Sequence, residues 1–230
     1  MVALNKDAPG HSYAHGPSSR VRGLAVGDVV RRLVSRTLAQ QFHDEFEAVT
    51  SPQQFGLATH GGVETAVHML RTITEADPTA TITQIDGVGA YDHIRRACML
   101  RGLARTPTAH ALLPYVLMSY GRQSCYLWHN DAHECHAILQ GEGGEQGDAL
   151  MPALFSLGLA AALREAQERL QPGELVIAYR DDLYIVTAPE RARAAYDIVT
   201  GIVANRCGVQ PNLGKTVCWN AAGGLPPWHS

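Results

Sequence analysis

Two short apolar runs on either side of an acidic pair constrain the fold of this chain more than any other feature. Residues 175–178 and 183–186 are rich in β-branched or aromatic side chains and are bounded by polar positions, a pattern typical of strands. Only four residues, ending in Asp181 and Asp182, separate the runs, which predicts a hairpin with a tight turn. Adjacent carboxylates repel each other, so the hairpin indicates either a solvated turn or a shared divalent cation such as Mg²⁺.

A third carboxylate lies at the end of another predicted strand. Residues 81–86 alternate polar and apolar side chains, as a half-buried strand does, and the strand ends at Asp86. Small residues and the aromatic Tyr91 follow, before a predicted helix over residues 92–103. This order can place Asp86 beside the acidic hairpin.

A glycine-rich segment precedes the longest predicted helix. Residues 140–148 contain four glycines and lead into an apolar-periodic stretch over residues 149–170. We expect Asp148 to cap this helix or to lie in its first turn, and Pro152 fits because it falls near the helix start. No Gly-Lys-Ser/Thr follows the glycines, so the segment does not resemble a Walker-type phosphate loop.

These three blocks, in this order, resemble the motifs of reverse transcriptases of the retrotransposon or intron type. The blocks are Asp86-x-x-x-Ala90-Tyr91, Gln146-Gly147-Asp148-x-x-x-Pro152 and Tyr179-x-Asp181-Asp182. Residues 208–216, 54–57 and 21–24 resemble further blocks of the family, with Gly23 where proline is usual. The resemblance runs from about Arg20 to Trp219, and it is specific because the motifs occur jointly.

The resemblance implies an RNA-directed DNA polymerase that adds deoxynucleotides to a primer 3′-hydroxyl by two-metal nucleotidyl transfer. It implies two Mg²⁺ ions, with Mn²⁺ as a substitute, held by Asp86, the backbone carbonyl of Gly87, Asp181 and Asp182. The nucleotide contacts that it implies are Tyr91, Gln146, Gly147, Lys215 and Arg22. Tyr91 stands where the family excludes a 2′-hydroxyl. The implied partners are an RNA or DNA template with its primer, and dNTPs.

The predicted fold is α+β: a right-hand polymerase palm, with an antiparallel sheet and helices on one face, plus partial fingers and no thumb. We expect a loose segment over residues 1–19, partial fingers over 20–79, the palm over 80–219 and a tail over 220–230. Since the fingers look incomplete and no thumb follows, activity of this chain in isolation is not implied. The predicted elements are strand 80–86, helices 92–103 and 108–121, hairpin 124–139, helix 148–170, hairpin 174–187, helix 189–206 and strand 215–219.

Charge and cysteine content are compatible with this interpretation without identifying it. The net charge of −3 gives no overall basic signature for nucleic acid, although arginines cluster over residues 20–36. Residues 29–38 predict an amphipathic helix in which most arginines are solvated and the apolar face comprises Val29, Val30, Leu33, Val34, Thr37 and Leu38. Five cysteines without a CxxC motif, and no apolar run of membrane-spanning length, predict a soluble intracellular protein of the cytoplasm or nucleus.

Three other interpretations stay open at the level of sequence. An RNA-templated RNA polymerase shares the palm and the acidic hairpin, but Gln146-Gly147 stands where it would have Ser-Gly. A diguanylate cyclase has a signature like residues 143–146, but at a hairpin tip rather than before a helix. A catalytically inactive remnant that binds nucleic acid is the third. Arg180 departs from the small or apolar residue usual at its position, where it can either hold a primer phosphate or obstruct it.

One further cluster suggests a metal without supporting one. His129, His133, Cys135 and His136 are close in sequence, as zinc ligands often are. The hairpin predicted over residues 124–139 would point these side chains to opposite faces, so we do not expect a zinc site.

Overall fold

A computed structural model describes residues 2–5, 21–25, 27–57 and 61–223. The α-helices are α1 Val29–Gln41, α2 His43–Thr50, α3 Gly62–Ala76, α4 Ala90–His93, α5 Arg96–Ala104, α6 Leu113–Tyr120, α7 Met151–Arg169 and α8 Ala192–Cys207. The strands are β1 Val2–Asn5, β2 Val21–Leu24, β3 Thr81–Ile85, β4 Ser124–His129, β5 Cys135–Gln140, β6 Leu175–Tyr179, β7 Asp182–Thr187 and β8 Val217–Trp219. Short 3₁₀ helices span Pro107–Leu112, Pro189–Arg191 and Leu213–Lys215.

The central sheet has four antiparallel strands in the order β6-β7-β3-β8. Strand β3 buries every second residue, as the alternating sequence of residues 81–86 predicts. Helices α7 and α8 pack together and against strands of this sheet, and α5 packs along α7. Two separate hairpins, β1-β2 and β4-β5, complete the described strands. Val2–Asn5, within the segment expected to be loose, pairs with Val21–Leu24.

Helix α7 supplies most of the core. Of its nineteen residues twelve are buried, which include Leu154, Phe155 and Leu163, and Pro152 lies in its first turn as expected. The helix begins at Met151, so Asp148 lies before it and is not its N-cap; that position is Leu150. No helix of the described residues is long and apolar enough to cross a membrane.

The helix predicted over residues 92–103 is interrupted. Backbone N–H groups at the interruption donate outside the helix: that of Arg95 to the carbonyl of Cys207, 2.7 Å away, and that of Arg96 to the carboxylate of Glu142, 2.6 Å away. These partners lie far along the chain, so a local pattern cannot reveal the break between α4 and α5.

The predicted apolar face of α1 turns inward only in the later part of the helix. Leu38 packs against the core, whereas Val29, Val30 and Leu33 are 77%, 70% and 65% exposed and Ser35 is fully buried. Arg31, one turn before Ser35, points to the same inner side and forms ion pairs there. The start of α1 therefore presents an ionic side chain inward where the apolar pattern predicts valine and leucine.

A buried glutamine holds the tip of the β6-β7 hairpin. The Oε1 atom of Gln54 accepts hydrogen bonds from the backbone N–H groups of Arg180 and Gly56, at 2.7 and 2.9 Å, and its Nε2 donates to the Arg180 carbonyl at 3.1 Å. Arg180 has a φ of +58°, which is unfavourable for a residue with a side chain. Gln54 therefore stabilises the turn conformation that presents the acidic pair.

Replacing Gln54 by alanine should destabilise the protein by about 3 kcal/mol, because it leaves buried backbone groups of the turn without partners. The matched control is Gln53→Ala, since the side chain of Gln53 makes no hydrogen bond to the described part of the chain. Urea unfolding of both variants measures the difference. Equal losses of stability for the two variants would show that Gln54 does not hold the turn.

Candidate active site

The register between β3 and β7 brings two distant acids together. Ile85 pairs with Leu183, so one further step along the same antiparallel register places Asp86 opposite Asp182. Tyr179 pairs with Asp182 across the hairpin, so the two-residue turn consists of Arg180 and Asp181. Asp181 therefore directly precedes Asp182, the first residue of β7. The three carboxylates predicted to form one site therefore lie at the same end of the sheet.

The electrostatics of this site show uncompensated negative charge. Burial raises the pKa of Asp182, and the neighbouring carboxylates of Asp181 and Asp86 raise it further, while Lys215 opposes them. The ammonium of Lys215 lies 3.0 Å from Oδ2 of Asp86, and Nδ2 of Asn212 donates to the same oxygen at 3.3 Å. One lysine therefore provides part of the positive charge that the three acids require.

A cleft of about 640 Å³ opens over Asp86 and Asp181, whereas Asp182 lies outside its lining. Six of the residues predicted for the site line it: Asp86, Gly87, Tyr91, Gln146, Asp181 and Lys215. Gly147 is exposed and lies beside the cleft rather than in its lining. Arg22 belongs to β2, and its side chain lies outside the described part of the structure.

Tyr91 forms a packed wall of the cleft. Its ring stacks on that of Phe155, with centroids 4.6 Å apart and planes 19° apart. Burial raises the pKa of Tyr91 to about 12, and the charge of Asp181 contributes in the same direction. The ring is therefore fixed beside the acids as a neutral, rigid surface.

On one side, main-chain and side-chain hydrogen bonds to residues 91–96 hold the loop that precedes α7. The N–H of Gly144 donates to the carbonyl of Tyr91 at 2.8 Å, and Nε2 of Gln146 donates to Asp92 at 3.1 Å. The guanidinium of Arg96 donates from Nε to the Gly143 carbonyl at 2.8 Å. Gln146 is thus held at the edge of the cleft.

The same loop is fixed from the other side by residues that sequence reasoning missed. Nη1 of Arg31 lies 2.7 Å from Oε1 of Glu145, and Nη2 lies 3.4 Å from Asp148, which also accepts a hydrogen bond from Tyr120 at 2.7 Å. Both acids are buried. Burial lowers the pKa of Arg31, but the charge and hydrogen bond of Glu145, together with the charges of Tyr120 and Asp148, raise it above its ordinary value. The adjacent arginines of α1 gave no signal that one of them turns inward.

Asn212 and Arg180 add features that the motif resemblance did not specify. Asn212 belongs to the block of residues 208–216, and its backbone N–H donates to the Asp86 carbonyl at 2.8 Å. The Arg180 side chain turns toward Gly56, whose carbonyl accepts from its Nε at 3.3 Å, and its guanidinium lies over the Tyr179 ring. Arg180 also lines the cleft, so its charge remains near any ligand there.

The chemistry of the acids fits a divalent cation, although no ready-made cage is present. Within the described residues, no group of three or more His, Cys, Asp or Glu side chains is arranged to hold a metal ion. Lys215 and Asn212 both contact Oδ2 of Asp86, and the pKa of Asp182 is nevertheless raised by its burial and by the charges of Asp181 and Asp86. Mg²⁺ commonly uses only one or two carboxylates and completes its shell with substrate phosphates, so hard oxygen donors with excess negative charge suit it.

Comparison with known proteins agrees with this geometry. A retrotransposable element SLACS 132 kDa protein of Trypanosoma brucei gambiense is 26% identical over 200 residues, which are 87% of this chain and 16% of that protein. The apo telomerase of Candida tropicalis has a similar structure, with a TM-score of 0.62 at 12% identity over 85% of this chain and 37% of that one. The telomerase of Candida albicans, in complex with a fragment of telomeric RNA, gives a TM-score of 0.57 at 13% identity over 86% and 36%.

The chain spans only a small part of the retrotransposon protein and little more than a third of either telomerase. The similar structures confirm the predicted α+β palm fold. The family model for reverse transcriptase (RNA-dependent DNA polymerase) matches residues 11–222. The chain therefore belongs to the reverse transcriptase family, as its motifs predicted.

Proposed function

We propose that this chain is the polymerase core of a retrotransposon reverse transcriptase, which adds dNTPs to a primer 3′-hydroxyl on an RNA or DNA template. The observation that carries the proposal is the meeting of Asp86, Asp181 and Asp182 at one end of the sheet, beside the cleft. The relationship to a retrotransposon protein supports the type of element. We assign residues 20–79 to partial fingers and 80–219 to the palm. Its five free cysteines favour a reducing compartment, the cytoplasm or nucleus.

The family as a whole depends on divalent metal, and in this chain Asp86, Asp181, Asp182 and the Gly87 carbonyl would hold it. Two Mg²⁺ ions, or Mn²⁺, would supply activation of the primer hydroxyl and neutralisation of the triphosphate. Lys215, whose ammonium lies 3.0 Å from Oδ2 of Asp86, lines the same cleft and would supply positive charge to the departing pyrophosphate.

The other cleft residues orient the nucleotide. Tyr91 presents its ring to the sugar and excludes a 2′-hydroxyl by steric conflict, because its stacking on Phe155 prevents it from moving aside. Gln146, held by Asp92, and the neighbouring Gly147 contact the nucleotide and the template strand. Arg22 contributes charge toward the triphosphate in this assignment.

Replacing Asp181 by asparagine should reduce primer extension at least about a thousandfold, since several kcal/mol of charge stabilisation in the transition state are removed. Thermal stability without metal should stay equal or rise, because one of three repelling carboxylates is removed. Extension of a labelled primer in Mg²⁺ measures the loss of activity. A melting curve recorded without metal measures the change in stability.

The matched control for this substitution is Asp131→Asn, in the exposed turn between β4 and β5. It should leave both extension and melting unchanged. Extension by Asp181→Asn at a rate near that of the parent would remove the two-metal role and would favour the interpretation as an inactive remnant.

Replacing Tyr91 by alanine should admit ribonucleotides and weaken deoxynucleotide binding, because the variant lacks both the steric barrier and the stacking area. Tyr91→Phe keeps the ring and should retain the parent's selectivity. The measurement is the ratio of deoxy- to ribonucleotide incorporation by the parent and both variants. An unchanged ratio in Tyr91→Ala would make Tyr91 a core residue only, and a parent that prefers ribonucleotides would favour an RNA polymerase.

A further inference from the structure

A second cleft lies among the helices, away from the acidic site. It measures about 700 Å³ and is lined by residues of α2, α5, α7, α8 and the segments that flank them. It shares no lining residue with the cleft over Asp86 and Asp181. Along α7, Arg164 lies twelve residues beyond Pro152 of the first cleft, about 18 Å at the usual helical rise.

This second cleft is strongly basic in a chain whose net charge is −3. Five exposed arginines line it: Arg95, Arg101, Arg105, Arg164 and Arg206. None of the described residues in its lining is acidic. Arg206 forms an ion pair with Glu165, whose side chain is largely buried and does not line the cleft. Such a concentration of guanidinium groups favours an anionic ligand.

Carbonyl groups orient two of these arginines without neutralising their charge. Nη2 of Arg164 donates to the Val49 carbonyl at 2.6 Å, and Nη1 of Arg95 donates to the Asn205 carbonyl at 2.5 Å. A carbonyl partner fixes the position of a guanidinium but does not neutralise it. The guanidinium of Arg105 makes no hydrogen bond or ion pair within the described parts of the chain, so its donors remain available.

The remaining lining indicates which part of a nucleic acid would bind. Small residues, Gly102, Gly158 and the alanines at 160–162, form part of the lining, and no aromatic side chain is present among the described residues there. Bases therefore find no stacking surface, whereas phosphates find planar guanidinium groups that match their geometry. Contacts of this kind position a strand without reading its sequence.

We propose that this arginine cleft binds the phosphodiester backbone of a nucleic acid, as a site separate from the catalytic cleft. Arg101, in the last turn of α5, and Arg105, which directly follows the helix, are four residues apart, and both line the cleft; they make the principal phosphate contacts. Binding there is independent of sequence, of divalent metal and of dNTPs. The arginine cleft therefore provides a second contact with nucleic acid, outside the catalytic cleft.

The test is the salt dependence of binding to fluorescein-labelled oligouridine, measured by fluorescence anisotropy without metal or dNTP. The double variant Arg101→Ala/Arg105→Ala should bind more weakly and lower the slope of log K against log salt by about 1.4, at about 0.7 for each phosphate that an arginine no longer neutralises. Oligothymidylate should give the same change, because the ligand is the backbone and not the 2′-hydroxyl. This binding assay contains no metal or dNTP and does not require catalysis. A protein without polymerase activity could therefore still show the predicted binding, and the two proposals can fail independently.

The matched control is Arg71→Ala/Arg193→Ala, which removes two exposed arginines from α3 and α8, each in an ion pair one turn along its helix. It should leave the slope unchanged. Arg101→Lys/Arg105→Lys keeps both charges and should restore most of the slope, which separates charge from folding, and melting curves check each variant. An unchanged slope in the double alanine variant, an equal fall in the control, or a parent that binds neither oligonucleotide would overturn the proposal.

Discussion

The antiparallel register between β3 and β7 is the constraint on which the candidate site depends. Since side chains alternate across a strand, a slip of one residue would turn Asp86 away from Asp182 and exchange the buried and exposed sets of β3. The register is fixed because Thr83 and Ile85 are buried on one side. The packing of the sheet and the position of the acids are therefore one property of the fold.

Residues from distant parts of the chain stabilise the turn that carries the acids and offset part of the acids' mutual repulsion. Gln54 holds the turn from a loop after α2, and Lys215 and Asn212 reach Asp86 from the segment after α8. Each contributes hydrogen bonds or charge rather than apolar area. Two separate segments, the loop after α2 and the segment after α8, thus support the acids of β3 and of the strained hairpin, and the geometry of the site depends on both.

Local patterns predicted the elements well, and long-range polar contacts explain what they missed. The β6-β7 hairpin, strand β3 and helix α7 follow from alternation, turn spacing and apolar periodicity within their own residues. The break before α5 and the inward side of α1 depend on partners far along the chain, such as Glu145, which lies 114 positions from Arg31. The motif resemblance placed Gln54 in one of the family blocks, but its function as a support became visible only from its hydrogen bonds to the hairpin turn.

The ionic attachment of α1 to the loop before α7 has a consequence for how this sequence can change over time. Arg31 is three-quarters buried, and Glu145 and Asp148 are almost wholly so, and removal of one member of such a group leaves an unpaired buried charge that costs about 3–5 kcal/mol. Replacement of all members together by apolar residues avoids that penalty. Single substitutions at these positions should therefore be eliminated by selection, and the three residues should be inherited or exchanged as a unit among relatives of this chain.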